Sequence, residues 1–83
     1  MLNRRSLMPL ILEAIQANGG SAQIHEIGKY IWENYRTDLQ RSGNFFYKWQ
    51  YELRWASDQL VDQNKIKKGP PRGTWHLNYR VSG

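Results

Sequence analysis

Two adjacent prolines divide this chain more sharply than any other feature. Pro70 and Pro71 sit inside Gly69-Pro70-Pro71-Arg72-Gly73. Proline has no amide hydrogen to give to a helix or a sheet ladder, and glycine enters tight turns at little steric cost. The segment therefore reads as a turn. Before it, Lys65-Ile66-Lys67-Lys68 alternates charge with one apolar residue. After it, Thr74-Trp75-His76-Leu77-Asn78 alternates polar residues with Trp75 and Leu77, both assigned to the core. Alternation of period two on both sides of a strong turn predicts a two-stranded hairpin.

Everything upstream has helical period. Leu7, Leu10, Ile11, Ala14 and Ile15 form an apolar stripe at i, i+3, i+4, i+7, i+8. This first helix is predicted to begin near Ser6, to tolerate Pro9 in its first turn, and to end at Asn18-Gly19-Gly20. Ser21-Ala22 is a short extended piece. A second helix carries Ile24, Ile27, Ile31 and Tyr35 on one face. Gly28 in its interior weakens it by about 1 kcal/mol relative to Ala, and close helix packing is one reason to keep a glycine there. Arg36 to Gly43 reads as a polar loop with room for a helical turn at Thr37-Asp38-Leu39.

Asn44 to Asn64 reads as one long amphipathic helix with Trp49, Leu53, Ala56 and Leu60 on its core face. At 100° per residue, Asn44, Tyr47, Tyr51, Arg54 and Asp58 project from the opposite side, with Trp55 and Lys48 on the flank. The last residues, Arg80 to Gly83, read as frayed. The order is helix, short strand, two helices, then a basic hairpin. It predicts a mainly α fold with a small β-hairpin, a winged helix-turn-helix. One domain spans 1–83, with its core near residues 6–79.

Composition narrows the function. Net charge is +5, which suits a polyanionic partner but is shared by many small basic proteins. There is no cysteine, so disulfides and Cys-based zinc sites are excluded, and a reducing intracellular compartment is permitted. His25 and His76 have no ligand partners nearby in sequence, so no metal is expected. The basic, then apolar N-terminus is interrupted at Glu13 and is too short for a signal peptide; no run is long enough to span a membrane. The seven acidic residues are scattered along the three helices and a loop. No phosphate loop and no nucleophile elbow is present, so a binding module without cofactor is expected rather than an enzyme.

A solvent face ordinarily carries Glu and Lys. Tyr47, Tyr51 and Arg54 on such a face suit a partner surface. A helix fits the major groove of DNA, and a hairpin can lie along the adjacent backbone. Arg54 can bond guanine bidentately. Asn44 can do the same for adenine, or cap the helix. Tyr47, Tyr51 and Trp55 can form an apolar patch for a methylated base; alternatively Trp55 packs beneath the hairpin and the tyrosines cover core edges. Asp58 either pairs with Arg54 at i, i+4 or accepts from a base amino group. Lys65, Lys67, Lys68 and Arg72 are the phosphate-contacting set, or else a solvated basic hairpin. Gln23, His25 and Lys29 at the second helix can touch the backbone across the groove. Arg4 and Arg5 form a basic arm or a disordered terminus.

Leu10-Ile-Leu-Glu-Ala-Ile-Gln-Ala-Asn-Gly-Gly-Ser-Ala22, Glu26-Ile27, Arg54-Trp-Ala-Ser-Asp-Gln-Leu60 and Arg72-Gly-Thr-Trp-His-Leu77 together resemble the N-terminal winged-helix domain of Mrr-type restriction endonucleases. The resemblance covers roughly Leu7 to Asn78. It implies a restriction-type system acting on modified DNA; double-stranded DNA is the expected partner, N6-methyladenine the favoured modification, and a cytoplasmic bacterial or archaeal setting is expected. It also implies an attached nuclease domain in a longer parent, and a homodimer is a further expectation. The chain stops where that nuclease domain would begin, so it reads as a standalone protein or an excised module. The long helix is richer in aromatics than the family pattern, with Phe45, Phe46, Tyr47, Trp49 and Tyr51, which leaves the modified-base preference open. The alternatives are a protein-interaction or dimerisation winged helix without DNA contact, and a single-stranded nucleic acid binder that stacks bases on Tyr47, Tyr51 and Trp55.

Overall fold

The first apolar stripe becomes α1 (Leu7–Ala17), with all five stripe residues buried, in a computed structural model that describes residues 2–78. The expected fraying of Arg80 to Gly83 lies outside the described residues. A 3-10 turn, Arg4–Ser6, precedes α1 and is capped by the Asn3 side chain, which accepts from the amides of Arg5 and Ser6. Arg4 and Arg5 are thus structured, against the expectation of a loose terminus. At the other end of α1, the Gly20 amide donates to the Ile15 carbonyl and the Gly19 amide to that of Gln16. This Schellman closure needs a left-handed residue just past the helix, and Gly19 supplies it at φ +86°.

The chain then runs through β1 (Ser21–Gln23), α2 (Ile24–Gln40), α3 (Trp49–Asp62), β2 (Ile66–Lys68) and β3 (Thr74–Leu77). The protein is mainly helical with a small antiparallel sheet. That sheet has three strands in the order β1-β3-β2, so the expected hairpin gains the Ser21-Ala22 piece as its third strand. Ala22 sits opposite Trp75, and Ile66 opposite Leu77. Both faces of the helix–sheet core close on Ile11, Ile15, Ile27, Ile31, Leu60 and Trp75. The α3 stripe is as expected: Trp49, Leu53, Ala56 and Leu60 are all buried.

Three sequence expectations change. The polar stretch from Arg36 is helical up to Gln40, because fully buried Leu39 ties it to the core. Tyr35 absorbs the resulting bend with φ −128° and ψ 22°. The long helix is not continuous: Gly43–Tyr47 is a 3-10 segment and Lys48, at φ −118°, separates it from α3. Phe45 and Phe46 fall on the Trp49 side in either geometry, so periodicity does not reveal the break. Ile24, assigned to the core face of α2, is 46% exposed. The α3 terminus follows expectation. Asn64 takes φ 60°, while the amides of Asn64 and Lys65 close back on Val61 and Leu60.

Gly28 has a different reason from close packing, since a methyl group built there meets nothing within 4 Å. The glycine therefore only loosens the backbone of α2. Gly28→Ala is expected to stabilise the fold by about 1 kcal/mol, read as a higher urea midpoint with unchanged slope. No gain would mean that the position is held for something other than helix stability.

One carboxylate ties α1 to α2. The phenols of Tyr30 and Tyr35 both donate to Glu13, at 2.6 Å and at 2.8 Å to the nearer oxygen. Hydrogen bonding to Glu13 pushes the Tyr30 phenol up to about 12 and raises that of Tyr35 as well. A raised folded-state value means that this contribution to stability is complete below pH 10 and is lost as pH climbs toward 12. Ultraviolet titration of the phenolates should show these two ionising later than free tyrosine. Glu13→Gln should bring them back toward the ordinary range, and an unchanged curve would contradict the assignment.

Candidate nucleic-acid interface

The Ile24 amide donates to the Gly73 carbonyl at 3.3 Å. This single bond sets the β2–β3 turn against the first residue of α2. On the third side stands α3, whose outward rows begin with Gln50 and Arg54. The three elements enclose a groove of about 530 Å³ lined by Ile24, Gln50, Leu53, Arg54, Lys68, Arg72, Gly73 and Trp75. Its floor is apolar, from Leu53 and Trp75, and its rim is cationic. Arg54 and Arg72 are exposed and form no ion pair among the described residues. Ion pairs of that kind would have to be broken before a phosphate or base edge could be bound, so these two guanidiniums are ready to engage one.

Lys68 is different. Its ammonium lies 2.7 Å from an Asp58 carboxylate oxygen and 5.2 Å from the Trp75 ring. Asp58 therefore pairs across to β2 and not with Arg54 at i, i+4. The pair clamps the hairpin to α3 and offsets one cation of the expected phosphate-contacting set. Lys67 sits opposite His76 and, by strand alternation, projects from the other face of the sheet. Lys65 is exposed in the turn after α3. His76 is held on both ring nitrogens, 2.6 Å from Ser21 Oγ and 2.7 Å from the Pro70 carbonyl, which anchors the turn. No cluster of residues able to hold a metal is present among the described residues.

The remaining expected residues divide by position. Gln23 and His25 border a shallower depression beside the groove, with Ile24, Arg72 and Gly73. Lys29 lies elsewhere, facing Glu26, Tyr30 and Glu33 between α1 and α2. Tyr47 and Tyr51 are 83% and 81% exposed, with Tyr51 in the first turn of α3. Asn44 is exposed in the 3-10 segment, where Ser42 holds the capping position, so it caps no helix. Lys48 stands exposed at the break before α3. Trp55 is half-buried and packs against the core. The Arg4 guanidinium covers it at 4.1 Å, and Arg4 also reaches Glu52 at 3.7 Å. Tyr51 and Trp55 stand one helical turn apart on α3, and Tyr47 lies before the break at Lys48.

Two groove residues escaped sequence reasoning. Gln50 is four residues before Arg54 and so on the same side of the helix, a spacing that was legible. Ile24 looked like core because its neighbours Ile27 and Ile31 are.

Replacing Arg4 with Ala should uncover Trp55. The expected loss is about 0.5–1 kcal/mol, the range for an exposed cation–π contact. Iodide quenching of tryptophan fluorescence should rise in parallel; unchanged quenching would mean that the side chain is not a cover. Comparison with protein families, with curated proteins and with solved structures finds no match for this chain.

Proposed function

We propose that this chain is a winged-helix module that binds double-stranded DNA, with α3 as recognition helix and the β2–β3 turn as wing. The observation that carries the reading is the groove in which Arg54 and Arg72, both without an ion-pair partner among the described residues, stand beside Gln50 and exposed Ile24. The order of elements and the β1-β3-β2 sheet support the winged-helix assignment. Arg54 and Gln50 are one helical turn apart. They carry the two side-chain types that bond guanine and adenine edges bidentately in the major groove. Arg72, with Lys48, Lys65 and Lys67 farther out, supplies backbone attraction, and Lys68 joins once Asp58 releases it. Ile24 and Tyr51 offer the apolar contact that a methyl group in the groove requires, the favoured target being N6-methyladenine. The resemblance to Mrr-type N-terminal domains supports a target-recognition role in a restriction-type system. Catalysis would then belong to a nuclease domain of a longer parent. Among the described residues no helix is long and apolar enough to cross a membrane.

A second reading has an observation of its own. Two tyrosines more than four-fifths exposed also suit a protein partner or a second copy. Fluorescence anisotropy separates the two. The titration uses one mixed-sequence duplex in unmodified, N6-methyladenine and 5-methylcytosine forms, plus a single strand, across a salt series. Duplex binding should fall steeply with salt. Arg54→Ala should cost about 1–3 kcal/mol on a selected sequence, and Arg72→Ala should lower the salt slope by about one. Asp58→Asn, which frees Lys68, should strengthen binding and steepen the slope. A methylated duplex bound tenfold tighter, about 1.4 kcal/mol, would support modification readout. Salt-insensitive self-association with no duplex binding would overturn the DNA reading in favour of the protein partner.

A further inference from the structure

Next to the basic groove lies a second depression of a different kind. It has a volume of about 350 Å³ and is lined by Trp32, Phe46, Tyr47, Trp49 and Gln50. Four of the five are aromatic, and none is acidic. Trp32 and Trp49 are nearly parallel, with centroids 6.5 Å apart and planes 7° from each other. Phe46 tilts against Trp32 at 6.1 Å, and Tyr47 meets Phe46 edge-on at 5.3 Å. The Arg36 guanidinium stands 5.0 Å from the Trp32 ring and brings a cation to this end of α2. Gln50 borders both depressions, so the aromatic pocket adjoins the groove that carries Arg54 and Arg72.

We infer that this pocket receives a single unpaired nucleobase from DNA held in the groove. The inference rests on the DNA-binding reading and extends it. Three features select this occupant. With Trp49 buried behind them, the accessible rings of Trp32, Phe46 and Tyr47 can stack on any base regardless of sequence. The Gln50 amide has both a donor and an acceptor, which is what a base presents on its Watson–Crick edge. Cations on both sides, Arg36 and the Arg54–Arg72 pair, match the phosphates flanking a displaced nucleotide. An exposed hydrophobic pocket alone would fit many ligands; its continuity with a cationic groove, through a residue able to read a base edge, favours a nucleotide. DNA with an unpaired, mismatched or damaged base would therefore bind more tightly than perfect duplex, because unstacking costs least there.

The test uses three labelled duplexes of one sequence: fully paired, with one bulged adenine, and with one bulged abasic residue. The abasic bulge reproduces the bend without the base. The adenine bulge should bind about tenfold tighter than the abasic one, within the range expected for one stacked base. A bulged 2-aminopurine should lose fluorescence on binding as it stacks. Phe46→Leu keeps apolar volume but removes an aromatic wall. It should abolish the preference for the bulged adenine while leaving affinity for the paired duplex unchanged. Equal affinity for the two bulges would overturn the pocket and leave the DNA reading intact, as would a preference that survives Phe46→Leu. Failure to bind any of the three would overturn both.

Discussion

β3 lies between β1 and β2, and the geometry of the candidate face depends on that placement. Without β1 the hairpin would be a flap joined to α3 by a short turn. Two-stranded hairpins are marginal in water; a third strand and a helical layer make one stable. β3 provides both, pairing Ala22 with Trp75 and burying that indole against the helices. The same pairing leads the chain from Gly73 into reach of the Ile24 amide. A sheet three residues deep thus fixes where Arg72 stands relative to Arg54.

Charge is handled by the same architecture. Asp58 and Glu52 of α3 are each matched by a cation from another element, Lys68 and Arg4. Both pairs are at least partly solvent-exposed, so each contributes little to stability. Their effect is on the field: among the described residues, Arg54 and Arg72 at the groove carry no ion pair. Ser42, buried, performs a quieter task. It accepts from the Leu2 amide and donates to the Asp38 carbonyl, which brings the N-terminal segment under the end of α2. That contact sets the start of the segment carrying Arg4 toward Trp55.

Much of the fold was legible because long amphipathic stripes and strong turn chemistry agree with each other. The α1 stripe, the Gly19 closure, the α3 core face and the strands flanking Gly69 to Gly73 all follow from spacing and residue type. What was hidden depends on tertiary contact. The helix through Arg36 to Gln40 forms because Leu39 finds the core, which local polarity does not show. The break at Lys48 leaves Phe45 and Phe46 on the side they would occupy anyway. At the candidate site, Arg54 and Arg72 were recognisable as cations on outward positions. That Asp58 would choose Lys68 over Arg54, and that Arg4 would cover Trp55, involves residues 10 and 51 positions apart, beyond any local pattern. Exposed Ile24 was misread for the same reason: helical phase places it near the core, and the sheet pulls the chain away there.

The most direct measurement is an amide chemical-shift map of the protein titrated with a mixed-sequence duplex at low salt. The account predicts changes concentrated at Ile24 and His25, along the Gln50–Arg54 side of α3, and at Arg72 and Gly73. The Glu13–Tyr30–Tyr35 junction between α1 and α2, which contributes nothing to the groove lining, should remain unmoved. Changes centred on that junction, or spread evenly over every basic residue, would contradict a specific groove between α3 and the hairpin.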